Sequence, residues 1–585
     1  MRQVPLIVSV AAMVAAIAGC GFAGDSDEKV VSASGQFPTP RMPEIRDATT
    51  VAEALPSARA LAANKSSFLG RGLGELKAGD KAILVTTTTD PHADIYIAAI
   101  VQALKERNVT AILMHDYEIV GVTKEQAREL DDFRRSSGLY QTSEQGWAEG
   151  CNLFLTRTGD RGADRGYLKS ARPDLYEKCN PPILEEQLPA ELKAVYAKMQ
   201  TARRVIPGHV NAYMDKNPDI RGVFYGRGGP LWMSFHPHEG RWMGPFVLDN
   251  KFEVMAPVAE FPADVWMLAE ELTMEALPSA DKVTVTDPEG TDVWWNLTET
   301  QAKAWAKGVY LRGHLFMFPQ EAYGQYALSV LNYPAMDPEY IPVDDNVLIN
   351  GTVAATTSHA GFYPRMVQTW KDGYLTDVKG GGTYGEFLRT LMKQPGIHDT
   401  VWPQRKKPGY FQFFETALGT NPKISRQNLN ANWGVAMERA RDGVIHWALG
   451  AIYWNDPGSM GGESSVSGKL AQFNRSTGHP GGHGFHMHTY FNTMKLHLRG
   501  SNKWVTLVDR GRSTSLDSPE VRSLASRYGD PDKILATEWV PDIPGVNAPG
   551  SYEQDYAPNP FKHAQAVVTR NRASPGMKKP AAILP

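Results

Sequence analysis

Ala and Leu recur at helical spacing over residues 51–64, with Thr49 or Thr50 placed to cap the first turn. Residues 81–87 follow as a short apolar run, Ala-Ile-Leu-Val, set off by Gly79-Asp80, and this run reads as a buried strand. Asp90-Pro91 caps and starts a helix to about residue 107, and residues 109–114 supply a second strand. Strand, helix and strand in that order make a βαβ unit, so a parallel sheet is expected. Residues 117–220 are less legible: helical patches at 124–135 and 185–204 suggest an insertion into this first domain.

Farther on the pattern alternates. Residues 282–286 read as a strand, Asp287-Pro288-Glu289-Gly290 as a turn, and residues 291–294 as the returning strand. Asp372-Gly373, between β-favouring residues, marks a hairpin over 370–378, and Gly380-Gly381-Gly382 leads into a helix over 384–392. Residues 485–498 read as one strand that puts Tyr490, Met494 and Leu496 on the face of His486 and His488. The fold class expected is α/β and α+β, with a parallel βαβ sheet in the N-terminal domain and a mixed, β-rich C-terminal domain carrying a metal site.

The first twenty residues break these patterns. Arg2, the apolar run 4–18 and the closing Ile-Ala-Gly-Cys resemble a bacterial lipoprotein signal, with Cys20 as the lipidated residue; the other reading is an ordinary secretory signal. Gly21 after Cys20 resembles outer-membrane sorting in Gram-negative cells, so the expected location is the cell envelope, with membrane contact through the lipid alone. The domains expected are a signal peptide (1–19), a flexible tether (20–48), an α/β domain with an insertion (49–250), a metal-binding catalytic domain (251–500), and a C-terminal arm and disordered tail (501–585). Within the last, residues 519–528 read as a helix, and 539–560 as an arm over the surface or a homodimer contact.

Composition narrows the function classes. With 585 residues, a formal charge of −3 and 42% hydrophobic residues, the chain has room for two or more cores and lacks the basic balance of a nucleic-acid binder. Apart from the leader, no apolar run is long enough to cross a bilayer. No Gly-x-Gly-x-x-Gly or Walker loop opens the first helix, which argues against a nucleotide site. Cys151 and Cys179 are the other cysteines; a disulfide and two buried thiols both fit them, and no Cys-x-x-Cys spacing supports a thiolate site.

The candidate chemistry concentrates between residues 411 and 499. Glu415 opens Glu-Thr-Ala-Leu-Gly-Thr-Asn-Pro, His446 stands in Val-Ile-His-Trp-Ala-Leu-Gly, and His486 and His488 bracket one Met. Imidazoles and a carboxylate are ligands for zinc, iron or manganese, and histidines at i and i+2 of a strand share a face. A His-x-His pair also occurs as polar decoration of a half-buried strand. Upstream, His236 and His238 follow the run 226–230; they either line a substrate cleft or sit in a surface loop in which Pro237 fixes a turn.

These motifs resemble the aminopeptidase T family of metallo-aminopeptidases and its relative 2,5-dihydroxypyridine 5,6-dioxygenase. The likeness covers residues 76–499 with gaps, and its specific motifs lie in the last fifth of that span. It implies that Glu415 is the bridging glutamate, His446 a metal ligand, Tyr453 the catalytic tyrosine, and His486 and His488 the counterparts of a His-x-Asp ligand pair. Ser476, in Ser-Thr-Gly, resembles the serine ligand of the dioxygenase branch. Asp264 is an approximate match to an upstream ligand glutamate. The change from Asp to His at 488 removes a charge and a bridging group, which favours one divalent metal (zinc, iron, manganese or cobalt) over two.

What the resemblance implies first is a hydrolase releasing N-terminal amino acids from peptides. There Glu415 ligates or takes a proton from water, Tyr453 donates to the oxyanion, and Asp264 or Glu260 orients the substrate amine. The alternatives are a mononuclear non-haem iron ring-cleaving dioxygenase and a lipid-anchored binding protein without catalysis.

Overall fold

Lys81–Thr86 (β1) is buried at every position but its first, as its unbroken apolar run requires. It pairs in parallel with Thr110–His115 (β2) on one side and Ile220–Tyr225 (β3) on the other, and Trp242–Pro245 (β4) adds to β3, giving the order β2-β1-β3-β4. The expected βαβ unit is therefore present, with Pro91–Glu106 as its crossover helix.

This computed structural model describes residues 37–42, 48–67, 70–86, 91–136, 151, 169–179, 187–225, 241–245, 252–307, 310–311, 314–316, 348–358, 361–399, 411, 413–426, 437–449 and 485–572. Residues 38–585 belong to one compact unit.

Helices cover both faces of the parallel sheet. On one, Leu84 and Phe224 pack with Leu55 and Leu61 of the helix Val51–Ala63 (α1) and Ile100 of Pro91–Glu106 (α2). On the other, Ile83 and Val85 meet Ile206, Val210 and Met214 of Ala190–Lys216 (α3). Each such side chain stabilises by about 1.5–3 kcal/mol on full burial. The cap on α1 is the expected one: Thr50 accepts from Glu53 N, and Glu53 returns to Thr49 N at 2.8 Å, a reciprocal capping box one residue out of phase.

The second layer is a large antiparallel sheet. Its described strands include Ala280–Asp287 (β5), Thr291–Asn296 (β6), Asn350–Ser358 (β7), Gly361–Lys371 (β8), Tyr374–Gly380 (β9), Phe413–Leu418 (β10), Ile445–Leu449 (β11), Phe485–Thr489 (β12), Thr493–Leu498 (β13) and Trp504–Asp509 (β14). Through its middle the order is β14-β13-β5-β6-β7-β12-β11-β10, with β8 and β9 branching from β7. The hairpin between β8 and β9 turns where the Asp-Gly signal puts it, with φ of 49° at Asp372 and 80° at Gly373.

One expectation needs correction. Residues 485–498 are two strands, because Thr489 and Asn492 hydrogen-bond side chain to side chain at 2.6 Å and Asn492 Nδ2 donates to Gly443 O and Thr489 O, bending the backbone between them. That bend breaks the register, so Met494 and Leu496 do not continue the face of the histidine pair. Contacts also reach the described residues of the stretches read as tether and arm. Arg41 and Val540 exchange backbone hydrogen bonds, Asn547 donates to Pro38 O, Trp504–Asp509 is a strand of the sheet, and Val521 of the helix Pro519–Ala525 joins the α1/α2 core. Among the described residues no helix is long and apolar enough to cross a membrane.

Candidate functional site

Alternation on two neighbouring strands builds the site. On β11, Ile445, Trp447 and Leu449 enter the large apolar core, as do Phe485 and Met487 on β12. His446 and Ala448, and with them His486 and His488, are left for the opposite face. The antiparallel register sets His446 against His488 and Ala448 against His486. On the far side of β11, Ala417 stands opposite His446 and the Glu415 backbone opposite Ala448; on the far side of β12, Thr357 of β7 stands opposite His488.

The three imidazoles meet. The His446 and His486 rings lie 4.7 Å apart within 25° of parallel, and the His446 and His488 rings are 5.4 Å apart at 52°. His446 and His488 are buried, whereas His486 is partly exposed.

Behind His488 stands a group the sequence reading did not single out. His488 Nδ1 lies 3.1 Å from Oε1 of Glu438, and both side chains are fully buried. Burial raises the Glu438 carboxyl, but the Arg426 guanidinium and the His488 hydrogen bond outweigh it and hold the pKa below the ordinary value. An ionised carboxylate only accepts, so His488 Nδ1 carries the proton. Burial, against the pull of Glu438, lowers the His488 pKa, so the ring is neutral and Nε2 bears its lone pair.

Glu438 is itself fixed. Arg426 Nε donates to Oε2 and Tyr490 OH donates to Oε1, while Arg426 Nη2 donates to Tyr490 OH at 2.6 Å. Tyr490 has spent its one proton, so the hydrogen bond with Thr357 Oγ1 has the threonine as donor. The guanidinium lies 4.9 Å from the Phe362 ring centroid and 4.7 Å from that of Trp539. Glu438 sits in a short 3-10 turn within Met-Glu-Arg-Ala, and no periodicity marks it; the one available signal was a tyrosine two residues beyond His488.

The other sequence candidates fall as follows. The side chain of Glu415, and Tyr453, Ser476, His236, His238 and Cys20 entirely, lie outside the described residues. Asp264 is exposed on the helix Ala263–Met274 and accepts from Tyr528 OH at 2.6 Å. Glu260, also exposed, accepts from Ser57. Cys151 and Cys179 are joined as a disulfide, with Cα atoms 5.4 Å apart.

Among the described residues no group of three His, Cys, Asp or Glu side chains is arranged to hold a metal ion. The His446 and His486 rings stack nearly parallel. A ligand set instead aims in-plane nitrogens at one point about 2.0–2.1 Å away. By chemistry the donors suit a divalent transition metal; as arranged, the described side chains alone do not form its coordination sphere.

No protein-family model matches the chain, and no curated protein matches it. Among solved structures, 2,5-dihydroxypyridine dioxygenase from Pseudomonas putida KT2440 aligns at 12% identity and a TM-score of 0.34, over 80% of this chain and 98% of that one. Wild-type AmpT from Thermus thermophilus aligns at 13% identity and a TM-score of 0.30, over 79% and 100% of the respective chains. Likeness this low leaves function to be argued from the chain's own residues.

Proposed function

We infer that the histidine cluster is the active site of an enzyme that works with one divalent metal, and that its reaction is release of N-terminal amino acids from peptides. The observation that carries the metal reading is the meeting of His446, His486 and His488 on one face of two strands, with Glu438 holding His488 from behind. A carboxylate on the far nitrogen of a ligand histidine fixes its tautomer and raises its basicity. The peptidase reading is supported by the order of Glu415, His446, Tyr453 and His486, which resembles that of aminopeptidase T.

A divalent metal at such a face would polarise a carbonyl or lower the pKa of bound water. In this reading Glu415 takes up a proton and Tyr453 donates to the oxyanion. Asp264 and Glu260 are engaged with Tyr528 and Ser57, and the reading does not depend on them.

The second reading is a mononuclear iron dioxygenase, and His488 favours it. A neutral imidazole, where the peptidases carry an aspartate, suits a single metal with open positions for a diol and O₂. Elemental analysis of the purified full chain, followed by peptide and dihydroxypyridine assays after loading with zinc, cobalt, manganese or iron, separates the two. Amino-acid release supports the peptidase; iron with O₂ uptake supports the dioxygenase. Metal binding with neither activity leaves a binding protein, and failure to bind any of the four metals overturns both enzyme readings.

We also propose lipid attachment at Cys20 and a place in the cell envelope. Intact mass of protein extracted from a Gram-negative host checks this, since diacylation moves with C20S.

A further inference from the structure

The turn between β5 and β6 folds two carboxyls inward: Asp287 is 6% and Glu289 1% exposed. Asp287 is well served, its Oδ1 accepting from Glu289 N at 2.9 Å and its Oδ2 from Phe491 N at 2.8 Å. Glu289 is served on one oxygen only. Its Oε1 accepts from Tyr552 OH at 2.9 Å and Thr356 Oγ1 at 3.0 Å, and its Oε2 has no hydrogen-bond partner among the described residues. Two adjacent buried carboxyls with unequal donors do not ionise together; the one with two backbone amides takes the charge and the other keeps a proton. In line with this, burial pushes Asp287 up to about 6, while burial and the Asp287 charge push Glu289 up to about 8.

A C-terminal segment packs against Glu289. Tyr552 reaches it directly, Tyr556 lies 2% exposed beside it, and the one-turn π-helix Tyr552–Tyr556 leads into the helix Pro560–Arg572. This segment is fastened to β8 by Arg365 N donating to Ala557 O at 2.8 Å, by Arg365 against Glu553 at 3.4 Å and over the Tyr552 ring at 5.8 Å, and by Phe362 against Phe561 at 5.9 Å, and to Asp542 by His563 at 3.3 Å and Arg570 at 3.1 Å.

We propose that residues 551–572 form a strap that is closed over the sheet while Glu289 carries a proton and released when that proton leaves. Opening is the way a buried carboxylate reaches water, because the groups around it cannot supply enough donors. The charged and titratable groups facing it are Asp287 from its own turn, Arg365 and Tyr363 from β8, and Tyr552, Glu553, Tyr556 and His563 from the strap. Beyond Tyr556 lie Arg426 and Glu438, whose charges it feels, so the strap also backs the network that positions His488. The proposal stands whether or not the histidine cluster takes a metal.

Linkage gives the sign and the slope. The closed state binds a proton that the open state gives up at ordinary carboxylate pH, so the open-to-closed ratio rises about tenfold per pH unit up to about 8 and then levels. The test is hydrogen exchange by mass spectrometry on the full chain between pH 6 and 9, corrected for intrinsic rates. Protection of residues 551–572 falls about 100-fold from pH 6 to pH 8 and at every pH lies well below that of β7 and β8, whose own protection follows the global stability. In E289Q the strap's protection is flat over that range, and H563Q behaves like the native chain. A native strap with constant protection from pH 6 to 8, or E289Q falling with the native slope, overturns the proposal. Should E289Q not fold, the native chain still decides, since a strap as strongly protected as the central strands at every pH would mean that it opens only with the whole fold and is no strap.

Discussion

Glu438 and His488, fifty residues apart, are joined by a hydrogen bond of 3.1 Å inside a pocket from which water is excluded. The bond dictates which nitrogen His488 offers to the rest of the cluster. Glu438→Gln keeps the shape and one acceptor but removes the charge that raises the ring's basicity, and it uncouples Arg426. Zinc affinity measured by competition titration should drop about 10- to 100-fold. In the metal-free native protein, ¹⁵N spectra of labelled histidine should show His488 protonated at Nδ1; the opposite tautomer would sink the assignment even if zinc binds.

The Asp287 and Glu289 pair sets a pH dependence for the whole fold. A carboxyl raised in the folded state binds more protons folded than unfolded, so stability is greatest below the ordinary Glu value and declines as pH rises to about 8. The slope from Glu289 alone is on the order of 1.4 kcal/mol per pH unit in that window. Because the Asp287 charge is part of the cause, Asp287→Asn should make the decline level off at lower pH. Urea denaturation from pH 5 to 9 reads both; a native curve flat across the window contradicts a protonated Glu289.

Features decided within a few residues were legible. The Thr50 cap, the Asp372-Gly373 turn and the β1-α2-β2 unit all follow from neighbours in sequence, where propensity and hydrogen bonding act locally. His486 and His488 were recognisable as candidates because strand alternation puts them on one face, and His446 through the resemblance of its Val-Ile-His-Trp-Ala-Leu-Gly string; the register that brings the three together was not legible. Their support was not legible: Glu438, Arg426 and Tyr490 come from a 3-10 turn, a loop and a bend, where no period assigns a face. The C-terminal region misleads for the opposite reason. Its Pro- and Asp-rich composition suggests an arm, yet Trp539 and Ile543 are buried at irregular spacing, and the partner of Val540 is Arg41 at the other end of the chain.

Lys423 ties that region down. It is 9% exposed, and Nζ donates to Lys533 O at 2.8 Å, Ala536 O at 3.1 Å and Glu538 Oε1 at 2.8 Å. Lys423→Met keeps the apolar stem but strands two carbonyls and leaves the Glu538 carboxylate with Arg41, a loss of about 1–3 kcal/mol. The denaturation midpoint should fall while the exchange protection of residues 533–538 falls further. An unchanged midpoint would mean that water replaces the ammonium without cost.

The disulfide between Cys151 and Cys179 spans a separation of 28 residues, and both cysteines lie in the same apolar cluster as Met274, Leu277 and Trp295 of the large sheet's core. Cross-linking a loop of that size removes unfolded-state entropy equivalent to about 3–4 kcal/mol. The half of that cross-link at Cys179 closes the helix Pro173–Cys179, so its loss frees a segment that otherwise seals one edge of the core. Cys179→Ser should therefore lower stability by about 3 kcal/mol in denaturant titrations without reductant, and reducing the native chain should bring it to the same midpoint. If reduction leaves the midpoint where it was, the folded contacts around Leu175 and Tyr176 hold the segment by themselves, and the bond only records that its two cysteines are neighbours.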